Sequence, residues 1–346
     1  MIDWNVARST ARRLMRPGPE LSGAEVEDVV AELREASRIA EGPVREFTGL
    51  VPTYPTPVLV VDRPRWADAN LASFEVLLRP LDAKLTAEGK MPTGLPRAVG
   101  SRVTGAEFGA IVAFLGGKVL GQFDPFSEGE AGPGRLLLVA PNIVHVEREL
   151  DVDPSDFRRW VCLHEETHRA QFTAVPWMRD HMLAQVDAMM QATDIGGGAV
   201  TAMVSEALPE LVRIVRGESD KSLSDLFQNE QQRAVVDQLT GMMSLLEGHA
   251  DVVMDDIGPE IVPSVAEIRR KFTKRRGSGS ALSKVVRRLL GYEAKMRQYS
   301  DGAKFVRSVT DQVGQDGFDA VWAEAAHLPT RAEIADPKSW VSRVLG

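Results

Sequence analysis

Apolar positions recur at helical spacing from the first residues of the chain. In AEVEDVVAELREASRIA, Val26, Val29, Val30 and Leu33 fall on one face, and Ser22 or Gly23 is placed to open the helix. From Gly42 to Pro64 that pattern breaks, punctuated by Pro43, Pro52, Pro55 and Pro57, and PVLVVD reads as a short strand. The pattern then predicts a helix near Ala67 to Leu78, a Gly/Pro loop from Gly89 to Gly100, a helix over Gly105 to Gly116, and a glycine-rich loop from Gly121 to Gly134. The best strand is Arg135 to Ala140 (RLLLVA), with an apolar pattern that carries on through Val144 and Val146. Asp153 followed by Pro154 makes a strong helix start, and Pro176 stops that helix after about Ala174. Beyond it every periodic stretch reads as helix: Trp177 to Ala192, Ala199 to Arg216, Ser224 to Ile257, Pro263 to Lys274 and Leu282 to Tyr299. The predicted class is mainly α with a small β-sheet. Residues 1–134 would form a helical and extended region packed on a second region, 135–346, unless the two are one continuous domain.

Composition narrows the function classes. The chain has 346 residues, 44% hydrophobic and 26% charged, which suits an ordinary globular protein with a sizeable core. A net charge of -8 argues against a general nucleic-acid binder, which needs a positive field. The single cysteine, Cys162, rules out an internal disulfide and fits a reducing compartment. The N-terminal MIDWNVARSTARRLMRPG lacks the apolar core of a secretory signal. Apolar runs such as Leu136 to Ala140 are far shorter than the ~18 residues of a membrane span. The expectation is a cytoplasmic protein with neither nucleic acid nor membrane as a partner.

Residues 164–168 read His-Glu-Glu-Thr-His, the HExxH pattern. At roughly 100° per residue, His164 and His168 lie about 40° apart, one above the other, so both imidazoles can reach a single ion. Phe157, Trp160, Val161 and Gln171 share that side, which places the pair in a buried stripe where unpartnered imidazoles would be costly. Glu165 sits about 60 to 100° from the two His, close enough to lean over an ion they hold and act as general base. Glu166 points about 200° from His164, beside Arg159 and Arg169, and is expected on a solvent face. Cys162 is about 160° from His164 and reads as packing. The plain alternative is a chance match to a short pattern, against which the helix start and the buried stripe both count.

A catalytic zinc takes three protein ligands and keeps one position open. The segment MMSLLEGHADVVMDD supplies Glu247, whose helical face also carries Val236, Met243, Ala250 and Met254. A carboxylate on such a face is costly unless paired or coordinated, and a buried salt bridge is the alternative to a ligand role. Asp251, one turn on, could accept the free ring N–H of a zinc-bound His. His249 points about 200° from Glu247 and is set aside as a ligand. Gly248 is expected to mark a close approach between this helix and the HExxH helix.

HExxH with a distant helix carrying E-x-x-x-D resembles the gluzincin metallopeptidases. More narrowly, HEETHRAQF, LLEGHADVVMD and the tail MRQYSDGAKFVRSVTDQVGQDGFDAVWAEAAHLPTRAEIADPKSWVSRV resemble the zincin-like metallopeptidase family, some members of which carry labels linking them to deazaflavin-coenzyme biosynthesis. The resemblance runs from about residue 40 to the end. It implies a zincin-like fold with large helical additions, a zinc ion on His164, His168 and Glu247, Glu165 as general base, and Asp251 supporting a His. Two departures stand out: the gap from His168 to Glu247 is long, and no substrate-binding motif of a known peptidase group is present.

Other features are weaker. Among three tyrosines, Tyr299 is a candidate oxyanion donor, although a boundary tyrosine with its hydroxyl in water is the simpler reading. His145, after the predicted strand, could line a cleft or serve only as a structural residue. The Met189/Met190 and Met242/Met243 pairs read as core filling, and the basic run from Arg269 to Arg276 as a solvated face. The expected function is a zinc hydrolase acting on peptide bonds. Two alternatives stay open: a zinc amidohydrolase for a small molecule or cofactor precursor, and a binding or scaffold protein that keeps the fold without turnover.

Overall fold

A computed structural model of the chain describes residues 2–89, 94–129, 132–192, 230–277 and 292–346. These residues are predominantly helical, with one three-stranded sheet. They fall into two compact units, residues 1–174 with 257–274, and residues 175–256 with 275–346. The expected line at 134/135 therefore runs inside the first unit.

In the first unit, α1 (Trp4–Leu14) and α2 (Gly23–Thr48) precede β1 (Val58–Val61), α3 (Arg63–Ala87), α4 (Gly94–Gly116), β2 (Gly121–Asp124), β3 (Arg135–Val139), α5 (Ala140–Leu150) and α6 (Pro154–Ala174). Ser22 opens α2 with a full capping box, its side chain bonded to the Glu25 N–H and Glu25 reaching back. The helix runs through Pro43, so the break expected at Gly42 is delayed to Gly49. Strand β3 lies in the middle of the sheet, parallel to β1 and antiparallel to β2. Its Leu136, Leu137, Leu138 and Val139 are at most 1% exposed, as a strand covered on both faces requires. Leu137 and Val139 pack with Ala7, Ala11, Trp66, Leu71 and Val112 of α1, α3 and α4. Leu136 lies on the opposite face, directly across from Phe123, whose ring stacks on Phe172 of α6. The sheet is thus a wall with α1, α3 and α4 behind it and α6 in front.

Three expectations fail here for physical reasons. The strand does not continue through Val144 and Val146, because α5 begins at Ala140 directly after Val139, with Pro141 in its first turn. Strand β2 lies within the region read as a glycine-rich loop, since four residues (GQFD) are too few to show alternation. Within α4, the segment Ala98–Gly116 is long and apolar enough to cross a membrane by length and composition. Its small and β-branched residues outweigh Arg102 and Glu107, which a search for uninterrupted apolar runs overlooks.

The remaining elements of the first unit are α9 (Gly258–Ile261) and the start of α10 (Val265–Gly277). In the second unit, α7 (Met178–Ala192), α8 (Glu230–Asp256), α11 (Tyr292–Asp319), α12 (Arg331–Ala335) and α13 (Pro337–Val344) form a helical assembly in which α8 and α11 are the main pair. Gly248 marks a close approach to α11 within the second unit. A Cβ on Gly248 would lie 2.1 Å from the Gly302 carbonyl carbon, and one on Gly302 would lie 1.9 Å from the Ser244 oxygen. The predicted helix 199–216, the start of the one at 282–299, and Ser278–Ser280 of the GSGS patch lie outside the described residues. Gly248→Ala should lower stability by about 1–3 kcal/mol through overpacking, read as a lower urea midpoint; an unchanged midpoint would contradict this backbone contact.

Candidate metal centre

Helix α6 is fastened at both ends. Asp153 accepts the Asp156 N–H at 2.9 Å, with Pro154 at the first helical position. The Asp156 carboxylate in turn accepts the Ser264 N–H at 2.9 Å and hydroxyl at 2.6 Å, tying the start of α6 to that of α10. At the far end the Thr173 carbonyl accepts from both the backbone N–H and the hydroxyl of Thr53, at 3.0 and 2.8 Å. That satisfies one of the carbonyls every helix C-terminus leaves over.

One face of α6 carries an ionic network toward α2. Arg158 grips Glu147 with two hydrogen bonds, at 3.0 and 2.6 Å, and also pairs with Glu32. Glu166, expected in solvent, is 2% exposed. The Ser37 hydroxyl and the Arg169 guanidinium both donate to it, the latter at 2.5 Å. Its sequence neighbours are polar, and nothing local signals that α2 covers this face. Burial raises the Glu166 pKa, opposed by Arg169 and Ser37. Cys162 is fully buried beside the Leu33 carbonyl, and burial raises its thiol pKa as well, which fits a packing residue.

The other face carries the HExxH residues. The imidazoles of His164 and His168 sit edge to face with their Nε2 atoms 3.2 Å apart. Two nitrogens at ~2.0–2.1 Å from one tetrahedral zinc would be about 3.3 Å apart. The spacing is compatible with both imidazoles reaching one ion. Nδ1 of His168 lies 2.9 Å from Oε1 of Gln171, which itself is fully buried. Glu165, 6% exposed, faces strand β2: a Cβ added to Gly121 would fall 2.5 Å from its Cγ and 2.6 Å from its Cδ. Neither Gln171 nor Gly121 was singled out for a role by sequence reasoning. Gln171 shares the His stripe, and that was the available signal.

In the second unit, Glu247 is 6% exposed on α8. From Ser244 to Ala250 every residue is buried, so this stretch of the helix is enclosed all round and burial does not single out Glu247. His249 is a core residue, its ring stacked on Phe318 at 5.7 Å and edge-on to Trp322 at 5.3 Å. Asp251 is half-buried one turn beyond Glu247. Among the described residues, His164, His168 and Glu247 form a group that could hold a metal ion, one ligand atom from each. The donor set of two imidazoles and a carboxylate suits zinc.

His145 is exposed on α5 and lies 3.8 Å from Glu149. His181 packs edge-on to Trp177, and His327 donates from Nδ1 to the Ala320 carbonyl at 2.7 Å. Tyr299 is part of α11, but its side chain lies outside the described residues.

A sequence model of the zincin-like metallopeptidase family matches residues 2–341. The chain belongs to that family. Among solved structures, a chain from Chloroflexus aurantiacus, described as "a putative hydrolase with a novel fold", superposes with a TM-score of 0.71 at 28% identity, covering 99% of this chain and 98% of that one. No curated protein matches the chain significantly. Membership of a zincin-like family implies a metal, in keeping with the paired imidazoles of α6.

Gly121→Ala should push the Glu165 side chain off its position while leaving the His pair in place. Crystal structures of the variant and the parent would check this. An unmoved Glu165 carboxylate would mean that the strand does not set its position.

Proposed function

We propose that this chain is a zinc-dependent hydrolase that cleaves peptide bonds. The observation that carries the reading is the 3.2 Å spacing of the two Nε2 atoms on a helix whose next residue, Glu165, offers a carboxylate to the same region. His164, His168 and Glu247 would hold the ion. Bound zinc would supply a Lewis acid that polarises a carbonyl and lowers the pKa of water toward ~7. Glu165 would do the proton work, taking a proton from the attacking water and delivering it to the leaving amine as the C–N bond breaks. With Nδ1 of His168 facing Gln171, Asp251 would be left to support His164.

The family and the Chloroflexus aurantiacus chain described as "a putative hydrolase" support hydrolysis as the reaction class. A peptide is favoured over a small amide by the sheet. Strand β2 stands at its edge. The Val139 N–H bonds the Leu120 carbonyl, and Gly121 pairs across from Leu138. The alternation of an antiparallel ladder therefore turns the N–H and C=O of Gly121 and Phe123 outward. An extended peptide could add to those groups next to Glu165.

The purified protein should contain one zinc per chain. Glu247→Ala or His164→Ala should lose it, whereas Glu165→Gln should keep it and lose hydrolysis by a factor of about 10²–10⁴. Metal analysis beside a peptide-library assay reads both. Zinc retained in Glu247→Ala would overturn the ligand set, and hydrolysis surviving in Glu165→Gln would overturn the base.

A further inference from the structure

We propose that Gln171 is a positioning residue that sets the tautomer of His168, an inference resting on the reading of His168 as a metal ligand. An imidazole coordinates through a nitrogen that carries no hydrogen, so a ring ligating through Nε2 must hold its proton on Nδ1. Nδ1 of His168 is 2.9 Å from Oε1 of Gln171, one turn further along α6. An amide oxygen only accepts hydrogen bonds, so the proton must lie on Nδ1, which leaves the Nε2 lone pair facing His164. Gln171 can do this because it is itself held still. Its side chain is fully buried, and the i, i+3 relation on one helix fixes its distance from His168.

The choice of an amide has a chemical consequence. A carboxylate in this place would also accept the Nδ1 proton, but it would add a negative charge beside a ligand set that already includes Glu247. With an amide, orientation comes without that charge. The zinc would then stay a stronger Lewis acid, which favours activation of water.

The test separates the tautomer from the metal. Histidine side-chain nitrogen NMR on the metal-free protein should show His168 with its proton on Nδ1 in the parent chain. Gln171→Leu should shift it toward the Nε2-protonated form, whose N–H would then point at Nε2 of His164 3.2 Å away. Zinc affinity, measured by chelator competition, should fall by about 10–100-fold in Gln171→Leu. Gln171→Glu, which restores an acceptor, should return both the Nδ1 proton and tight binding. An unchanged tautomer and affinity in Gln171→Leu would overturn the proposal, as would an Nε2-protonated His168 in Gln171→Glu. If the parent chain binds no zinc, the metal reading fails on its own, while the tautomer in the metal-free protein still reports whether Gln171 controls the ring.

Discussion

The burial of helix α6 is the constraint on which the candidate centre depends. A helix enclosed by protein must find a partner for each polar group it carries, and α6 carries many. Thr167 and Thr173 return their hydroxyls to carbonyls one turn back, at 2.9 and 2.7 Å. Arg158, Glu166 and Arg169 are matched against Glu147, Glu32, Ser37 and Glu41. That network fixes the helix in rotation, because turning it would leave charges buried without partners, a cost of several kcal/mol for each. With the rotation fixed, His164, Glu165, His168 and Gln171 have one direction in which to point. The charged face of α6 therefore orients the chemical face without taking part in the chemistry.

Much of this was legible in the sequence, for reasons that can be named. The start of α6 at Asp153-Pro154 and its end before Pro176 are local signals, and the His pair follows from 3.6 residues per turn alone. The run RLLLVA betrayed a strand covered on both faces. What was hidden depends on contacts made far along the chain. Glu166 has a polar neighbourhood and reads as surface; only α2, more than a hundred residues earlier, buries it. Strand β2 is four residues long and takes its identity from β3, so no periodicity could announce it. The role of Gly121 was invisible because a missing side chain gives no signal until its neighbour is known.

Helix α8 repeats the theme in the second unit. His249, directed away from Glu247 by helix geometry, packs against Phe318 and Trp322. The helix is enclosed all round in this stretch, so burial alone does not distinguish Glu247 from its neighbours. The meeting of Gly248 with Gly302 brings two helix backbones into direct contact. A carboxylate mounted there sits on a backbone with little freedom left to lose.

The outward-facing groups of β2 carry a further consequence. Backbone hydrogen-bonding groups along a strand edge repeat every second residue, ~6.6–6.8 Å apart. A guest chain pairing with Gly121 and Phe123 can therefore slide only in two-residue steps, since a one-residue slip would turn its own bonding groups away and invert its side chains. Because Glu165 abuts Gly121, the position of its carboxylate is defined on that same ruler. The sheet edge would then act as a ratchet with a coarse pitch, and the bond presented to Glu165 would be chosen by parity along the guest chain before any side-chain preference applied.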